Sequence, residues 1–263
     1  MRPHAPGGRA GRRPPAVPGS GATGGPGGAH LVGADVPARV SAIGPYFAMA
    51  CGPRADADRF RPLTALYEDR AVLARYVAEV GRRLGTDQRR VAASTLHIGT
   101  AARLWSIALG TAALTGRVPD LAPERVWWRT PDTGPVDLWM PDAPEVAEGD
   151  VVDVLRETVV VRNLLPLGDA VRRLYGVSPH ALRGNAASAL LGAVRVTLAQ
   201  APDAPHSPLP LATALLEREP LAGAGTFDAD SLTYRRRSCC LYYRVRGAGV
   251  CGDCVLGRER TRA

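Results

Sequence analysis

The sequence predicts an α+β fold that is mainly α: a helical body carrying a short β-hairpin, followed by a small C-terminal cysteine-rich module. Three observations predict it. Apolar residues recur at three-to-four spacing through most of residues 60–220, punctuated by glycine and proline. Two tryptophan-bearing segments flank the turn Pro131-Asp132-Thr133-Gly134. Beyond Gly223-Ala224-Gly225, four of the five cysteines fall within 16 residues.

The elements follow in order. Residues 1–30 are glycine, proline and arginine with almost nothing to bury, so a disordered tail is expected. Arg12-Arg13 leads into Pro14-Pro15 and glycines rather than an apolar segment, which argues against a twin-arginine export signal. Leu63–Leu84 reads as one helix with Leu66, Leu73, Tyr76, Val77 and Val80 on one face and Gly85 as its stop. Asp87 is placed to cap a second helical region reaching Gly116, with a break near Gly99-Thr100. Arg125–Arg129 and Val136–Met140 read as two strands joined by a tight turn. Helical patterns resume over Val151–Arg162 and Leu167–Tyr175. Ser178-Pro179 then supplies an N-cap and an N1 proline for a helix to about Ala199. A proline-rich joint, Ala201–Pro210, precedes a short helix over Leu211–Glu219. The organisation is therefore a tail (1–30), a helical body (31–225) and a C-terminal module (226–263).

Charge is distributed unevenly. All 33 basic residues are arginine, a bias that fits a GC-rich coding sequence better than a nucleic-acid-binding surface. Residues 31–230 hold 21 arginines against 23 acids, a net −2, whereas residues 231–263 hold eight against two, a net +6. The basic end calls for an anionic partner, or for something anionic built into it. No recognition-helix pattern lies beside a basic stripe, so nucleic acid is not the expected partner. The longest apolar-leaning stretches, 40–53 and 104–116, fall short of the roughly 18 residues a membrane span needs. Five cysteines in 263 residues are too sparse for a disulfide scaffold.

Cys239, Cys240, Cys251 and Cys254 form the pattern C-C-x10-C-x2-C. Thiolates this close repel one another unless a cation holds them, so an iron–sulfur cluster, a four-thiolate zinc or disulfides are the possible states. A Cys-Cys pair is a poor zinc knuckle, which favours the cluster. Gly252 is expected to let the Cys251–Cys254 turn bend, and Gly247 and Gly249 to bring amide protons to sulfur. Arg235, Arg236, Arg237, Arg244, Arg246 and Arg258 surround the cysteines and would offset the charge of about −2 on an oxidised two-iron, four-thiolate centre. Elsewhere, Cys51 reads as a buried structural thiol, His97 as a hydrogen-bonded core histidine and Asn185 as a helix cap or bridge. The four tryptophans read as core and hairpin packing.

The cysteine pattern resembles the FhuF family of ferric-siderophore reductases. So, more softly, do His97–Trp105, Trp127-Trp128 and Gly184–Ala189, with Arg183 standing where many relatives carry tryptophan. The resemblance implies a [2Fe-2S] cluster on Cys239, Cys240, Cys251 and Cys254, which would also be the electron-transfer site. It implies a cytoplasmic oxidoreductase that passes one electron to a ferric siderophore and releases Fe(II). Arg235, Arg236, Arg237 and Arg244 become the candidate substrate contacts. The implied partners are the ferric siderophore, an electron donor such as a ferredoxin or flavin reductase, and transiently a siderophore importer. A non-enzymatic iron–sulfur sensor and a zinc-stabilised interaction protein are the alternatives.

Overall fold

A computed structural model describes residues 33 and 35–257; the expected tail and Arg258 lie outside the described residues. The fold is mainly α, with two small sheets. Its axis is the pair α4 (Arg89–Thr115) and α7 (Pro179–Gln200), which pack along each other's length. Both helices bury residues all round, as helices at the centre of a core do. No helix among the described residues is long and apolar enough to cross a membrane.

Around this axis lie α1 (Val36–Ala42), α2 (Thr64–Glu68), α3 (Arg70–Leu84), α5 (Val151–Leu155), α6 (Leu165–Tyr175) and α8 (Pro208–Leu216). The expected helix over 63–84 is two. Asp69 turns extended and accepts hydrogen bonds from the N–H groups of Ala71 (2.8 Å) and Val72 (3.2 Å), capping α3 at the cost of continuity. The expected face holds: Leu66, Leu73, Tyr76 and Val77 are buried and Val80 partly so. Helix α4 runs without a break through Gly99-Thr100. Its N-cap position is Gln88, with no side-chain cap, rather than Asp87. Ser178 caps α7 as expected, its hydroxyl accepting from the Ala181 N–H at 3.2 Å. Helix α8 starts at Pro208, capped by Ser207, inside the stretch expected to be a joint.

Residues Arg156–Leu164 connect α5 to α6 as a π-helical segment, where separate α-helices were expected. Pro166 explains the wider turn: its ring would collide with the carbonyl four residues earlier in an α-helix. Asn163 latches the segment, accepting from the Tyr67 hydroxyl (2.6 Å) and donating to the carbonyls of Leu121 (2.8 Å) and Thr158 (2.7 Å).

The tryptophan hairpin forms, as β3 (Trp127–Arg129) and β4 (Asp137–Met140), antiparallel with Trp128 opposite Leu138. Two short strands widen it to a sheet of order β1-β4-β3-β2: β1 (Ala50–Cys51) pairs parallel to β4 and β2 (Arg61–Pro62) antiparallel to β3. Trp105, Trp128 and Trp139 are buried, and Trp127 packs against Trp139 at 5.8 Å between rings. Burial raises the Cys51 thiol to about 11, which keeps it protonated and inert. A second hairpin, β5 (Gly225–Asp228) with β6 (Thr233–Arg236), opens the C-terminal module and was not anticipated.

Candidate metal centre

Strand β6 ends at Arg236, and the chain then passes Cys239-Cys240, a single 3₁₀ turn at Tyr242–Arg244, and a loop returning to Cys251–Cys254. Leu241 sits in the left-handed region at φ +71°, unusual for a residue with a side chain, and reverses the chain directly after the two cysteines. The return is closed by backbone bonds. Arg236 N–H donates to the Asp253 carbonyl (3.1 Å) and Cys254 N–H to the Cys251 carbonyl (3.1 Å). Gly252 keeps an ordinary φ, so that turn does not depend on glycine, while Gly247 (+77°) and Gly249 (+69°) do adopt left-handed backbone.

The module is seated on α7 and α4 through buried polar contacts. Arg236, 1% exposed, donates from Nη2 to the Ala181 carbonyl (3.1 Å) and to Asn185 Oδ1 (2.7 Å). Asn185 Nδ2 donates to the carbonyl and the hydroxyl of Ser94, both at 3.1 Å. The Ser94 hydroxyl in turn donates to the Cys240 carbonyl at 2.8 Å. Nearly three turns further along α7, Arg195 holds the Leu232 carbonyl (2.9 Å) and pairs with Asp253 (3.2 Å), one of the two residues between the last two cysteines. Sequence reasoning marked Asn185 as a bridge but missed Ser94 and Arg195, whose partners are distant in the chain.

Of the four thiols, Cys240 and Cys251 are in direct contact at one end of this network. Cys240 is buried and the other three are half-buried. Cys240 and Cys251 share a hydrogen bond, sulfur to sulfur, at 3.5 Å. Cys239 Sγ accepts from the Leu241 N–H (3.3 Å) and Cys254 Sγ from the Leu256 N–H (3.3 Å). The N–H groups that reach sulfur thus follow the cysteines rather than belonging to Gly247 and Gly249. The hydrogen bond shared with Cys251, helped by the Tyr242 N–H and the Arg236 guanidinium, lowers the pKa of the Cys240 thiol, while the same shared bond and burial push Cys251 up. Cys239 is raised by burial, with the charges of Cys240 and Cys254 adding to it. Nε and Nη1 of Arg236 have no hydrogen-bond partner among the described residues, so part of its charge is left for the sulfurs.

The Cys240–Cys251 pair suits two ligands of one tetrahedral metal ion. Two thiolates on one tetrahedral metal ion with metal–sulfur bonds of about 2.3 Å stand about 3.8 Å apart, close to the Cys240–Cys251 separation. Among the described residues no three His, Cys, Asp or Glu side chains gather closely enough to hold a single ion. Residues 236–256 match the family model described as the FhuF 2Fe-2S C-terminal domain. This segment is similar to the FhuF 2Fe-2S C-terminal domain. Its cofactor is accordingly a [2Fe-2S] cluster. A comparison with curated proteins returns no match.

The arginines singled out from sequence divide by position. Arg235, Arg237 and Arg244 are exposed; Arg235 reaches the Val255 carbonyl (3.1 Å) and Arg244 the Tyr243 hydroxyl (3.2 Å). Arg236 points inward to α7 and the thiols, out of reach of a substrate.

Proposed function

We propose that the protein is a ferric-siderophore reductase: an oxidoreductase that uses its [2Fe-2S] cluster to pass one electron to a cytoplasmic Fe(III)-siderophore, releasing Fe(II). The observation that carries the reading is the thiol pair at 3.5 Å, inside a segment matching the FhuF 2Fe-2S domain and ringed by N–H donors and arginine. The FhuF family is associated with ferric-siderophore reduction. Cys239, Cys240, Cys251 and Cys254 would hold the cluster. When bound, such a cluster supplies one-electron carriage.

The chain's own residues do the rest. Backbone N–H groups and Arg236 stabilise negative charge on sulfur, favouring the reduced state. The half-buried Cys239, Cys251 and Cys254 leave one side of the module open to a partner. Around that side Arg235, Arg237 and Arg244 offer positive charge to an acidic ferredoxin, a flavin reductase or an anionic chelate. A cluster held there would pass one electron from that donor to the substrate iron, whose oxygen ligands hold Fe(II) far more weakly than Fe(III). No general acid or nucleophile is required.

Electron paramagnetic resonance of anaerobically purified protein tests this. The oxidised sample should be silent, and dithionite should produce a rhombic signal of about one spin per chain. Adding a ferric siderophore should then erase the signal while a ferrous chelator colours stoichiometrically. A zinc-loaded, iron-free protein, or a reduced cluster indifferent to every ferric chelate, would sink the reductase reading.

A further inference from the structure

A cleft in the body, between α3 and the β3–β4 hairpin, has a volume of about 930 Å³. That is the upper range of pockets that enclose a whole small molecule. Arg59, Arg61, Arg75, Arg82, Arg83 and Arg129 line it against only two carboxylates, Glu79 and Asp132, a local net of +4. The surrounding residues 31–230 net −2, so arginine-rich composition alone does not account for the concentration.

The cations are not spent equally. Glu79 pairs with both Arg82 and Arg83 (2.6 Å each), and Arg129 pairs with Asp56 (2.6 Å) and Asp137 (2.9 Å). Arg59, Arg61 and Arg75 make no ion pair among the described residues and are exposed; the carboxylate of Asp69, committed to capping α3, has its pKa lowered by the Val72 and Ala71 N–H groups and in small part by Arg75 and Arg61. The wall behind them is aromatic: Tyr76 and Trp128 pack at 4.9 Å, and the Trp128 indole N–H is without a partner among the described residues. Arg83 closes one end, donating to the carbonyls of Pro131 and Gly134 across the hairpin turn. There the cleft shares Tyr76, Arg83, Thr130 and Pro131 with a smaller cavity of about 160 Å³ that reaches Thr95, the neighbour of Ser94. Ser94 is the residue that holds the Cys240 carbonyl.

We infer that this cleft binds a polyanionic, ring-bearing ligand, and that under the reductase reading, on which the ligand's identity rests, the ligand is a ferric tris-catecholate chelate. Three catecholate dianions on Fe(III) leave a charge of −3 and present ring edges, matching three uncommitted guanidiniums beside an aromatic wall. A ferric trihydroxamate, with no net charge on its metal centre and no ring, gains neither contact. Nucleotides share the anionic, ring-bearing chemistry, and the test separates them.

The test is calorimetric titration of the cluster-loaded protein with a ferric tris-catecholate. Wild type should bind it, more weakly as ionic strength rises, and Arg61→Glu/Arg75→Glu should weaken it by at least about tenfold. Binding of a neutral ferric trihydroxamate should be the same in both proteins. If the double variant loses circular dichroism, Arg75→Ala at an exposed position of α3 replaces it, with an expected loss of about threefold. No binding by wild type, or equal affinity in the variant, overturns the inference. So does displacement of the chelate by an equal concentration of flavin mononucleotide, which would make the cleft a nucleotide site. A chelate that binds through these arginines but leaves the reduced cluster untouched keeps the inference and ends the reductase reading. Re-oxidation of the cluster that ignores the substitutions does the reverse.

Discussion

Arg236 and Asn185 meet at 2.7 Å in a site with no solvent, and through that contact the cysteine module is fastened to the centre of the helical body. The guanidinium also places a positive charge beside thiolates, stabilising their more negative states. Arg236→Gln keeps one donor and removes the charge. The expected result is a lower midpoint potential in an anaerobic redox titration; for a one-electron couple, about 60 mV is a tenfold change in equilibrium. Asn185→Ala removes the acceptor and strands the buried cation, so it should cost about 2 kcal/mol in urea unfolding. Equal potentials in wild type and Arg236→Gln would confine Arg236 to a structural role.

Gly184, next to Asn185 on α7, is a docking surface for the same module. A Cβ there would stand 2.4 Å from Ser238 Oγ and 2.8 Å from Arg236 Nη2. Ser238 is itself fixed, donating to the His180 carbonyl at 2.7 Å. Gly184→Ala should therefore lift residues 236–256 from α7 while leaving the helix intact. Purified variant should carry less iron per chain than wild type and lose it faster to a chelator, with an unchanged far-ultraviolet spectrum. Full iron retention would show that the module can shift to make room.

Much of this was readable in sequence where the signal is local. The α3 face, the Ser178-Pro179 start of α7 and the cysteine pattern each depend on residues within a few positions of one another. What was missed depends on distant partners. The break at Asp69 interrupts an apolar periodicity that continues on both sides of it, and only the cap reveals it. The two-residue strands β1 and β2 exist because β4 and β3 pair with them. The arginine cleft draws on β2, α3 and the hairpin, three segments with no common motif. Ser94 looked like any small helical residue until Cys240 came to lie against it from 146 positions away.

Arg103 should be the costliest surface-to-core arginine to remove. It is 2% exposed and donates to three carbonyls: Val136 (2.9 Å), Pro45 (2.9 Å) and Ala48. Those bonds tie the loop before β1 and the entry to β4 onto α4. Burial lowers its pKa to about 10, which still leaves it charged at neutral pH. Arg103→Met fills a similar volume but leaves three carbonyls unpaired, for an expected loss of about 3 kcal/mol in urea unfolding. A loss below about 1 kcal/mol would mean that water satisfies those carbonyls.

His97 makes stability depend on acid. Its ring is buried in α4, with Nδ1 lacking a partner among the described residues and the Leu164 carbonyl of the π-helical segment bonded to it. Burial, with a smaller push from Arg236, lowers its pKa from 6.5 to about 4. The unfolded chain therefore binds this proton first. Stability from keeping the ring neutral is complete above about pH 6.5 and is lost as pH falls towards about 4, a change on the order of 3 kcal/mol. Urea unfolding of wild type and His97→Gln across that window isolates the effect, because losses common to both proteins cancel. The variant, lacking the titrating ring, should show the shallower decline, the two declines differing by on the order of 3 kcal/mol across the window. Parallel curves would mean that the folded protein admits the proton as readily as the unfolded chain does.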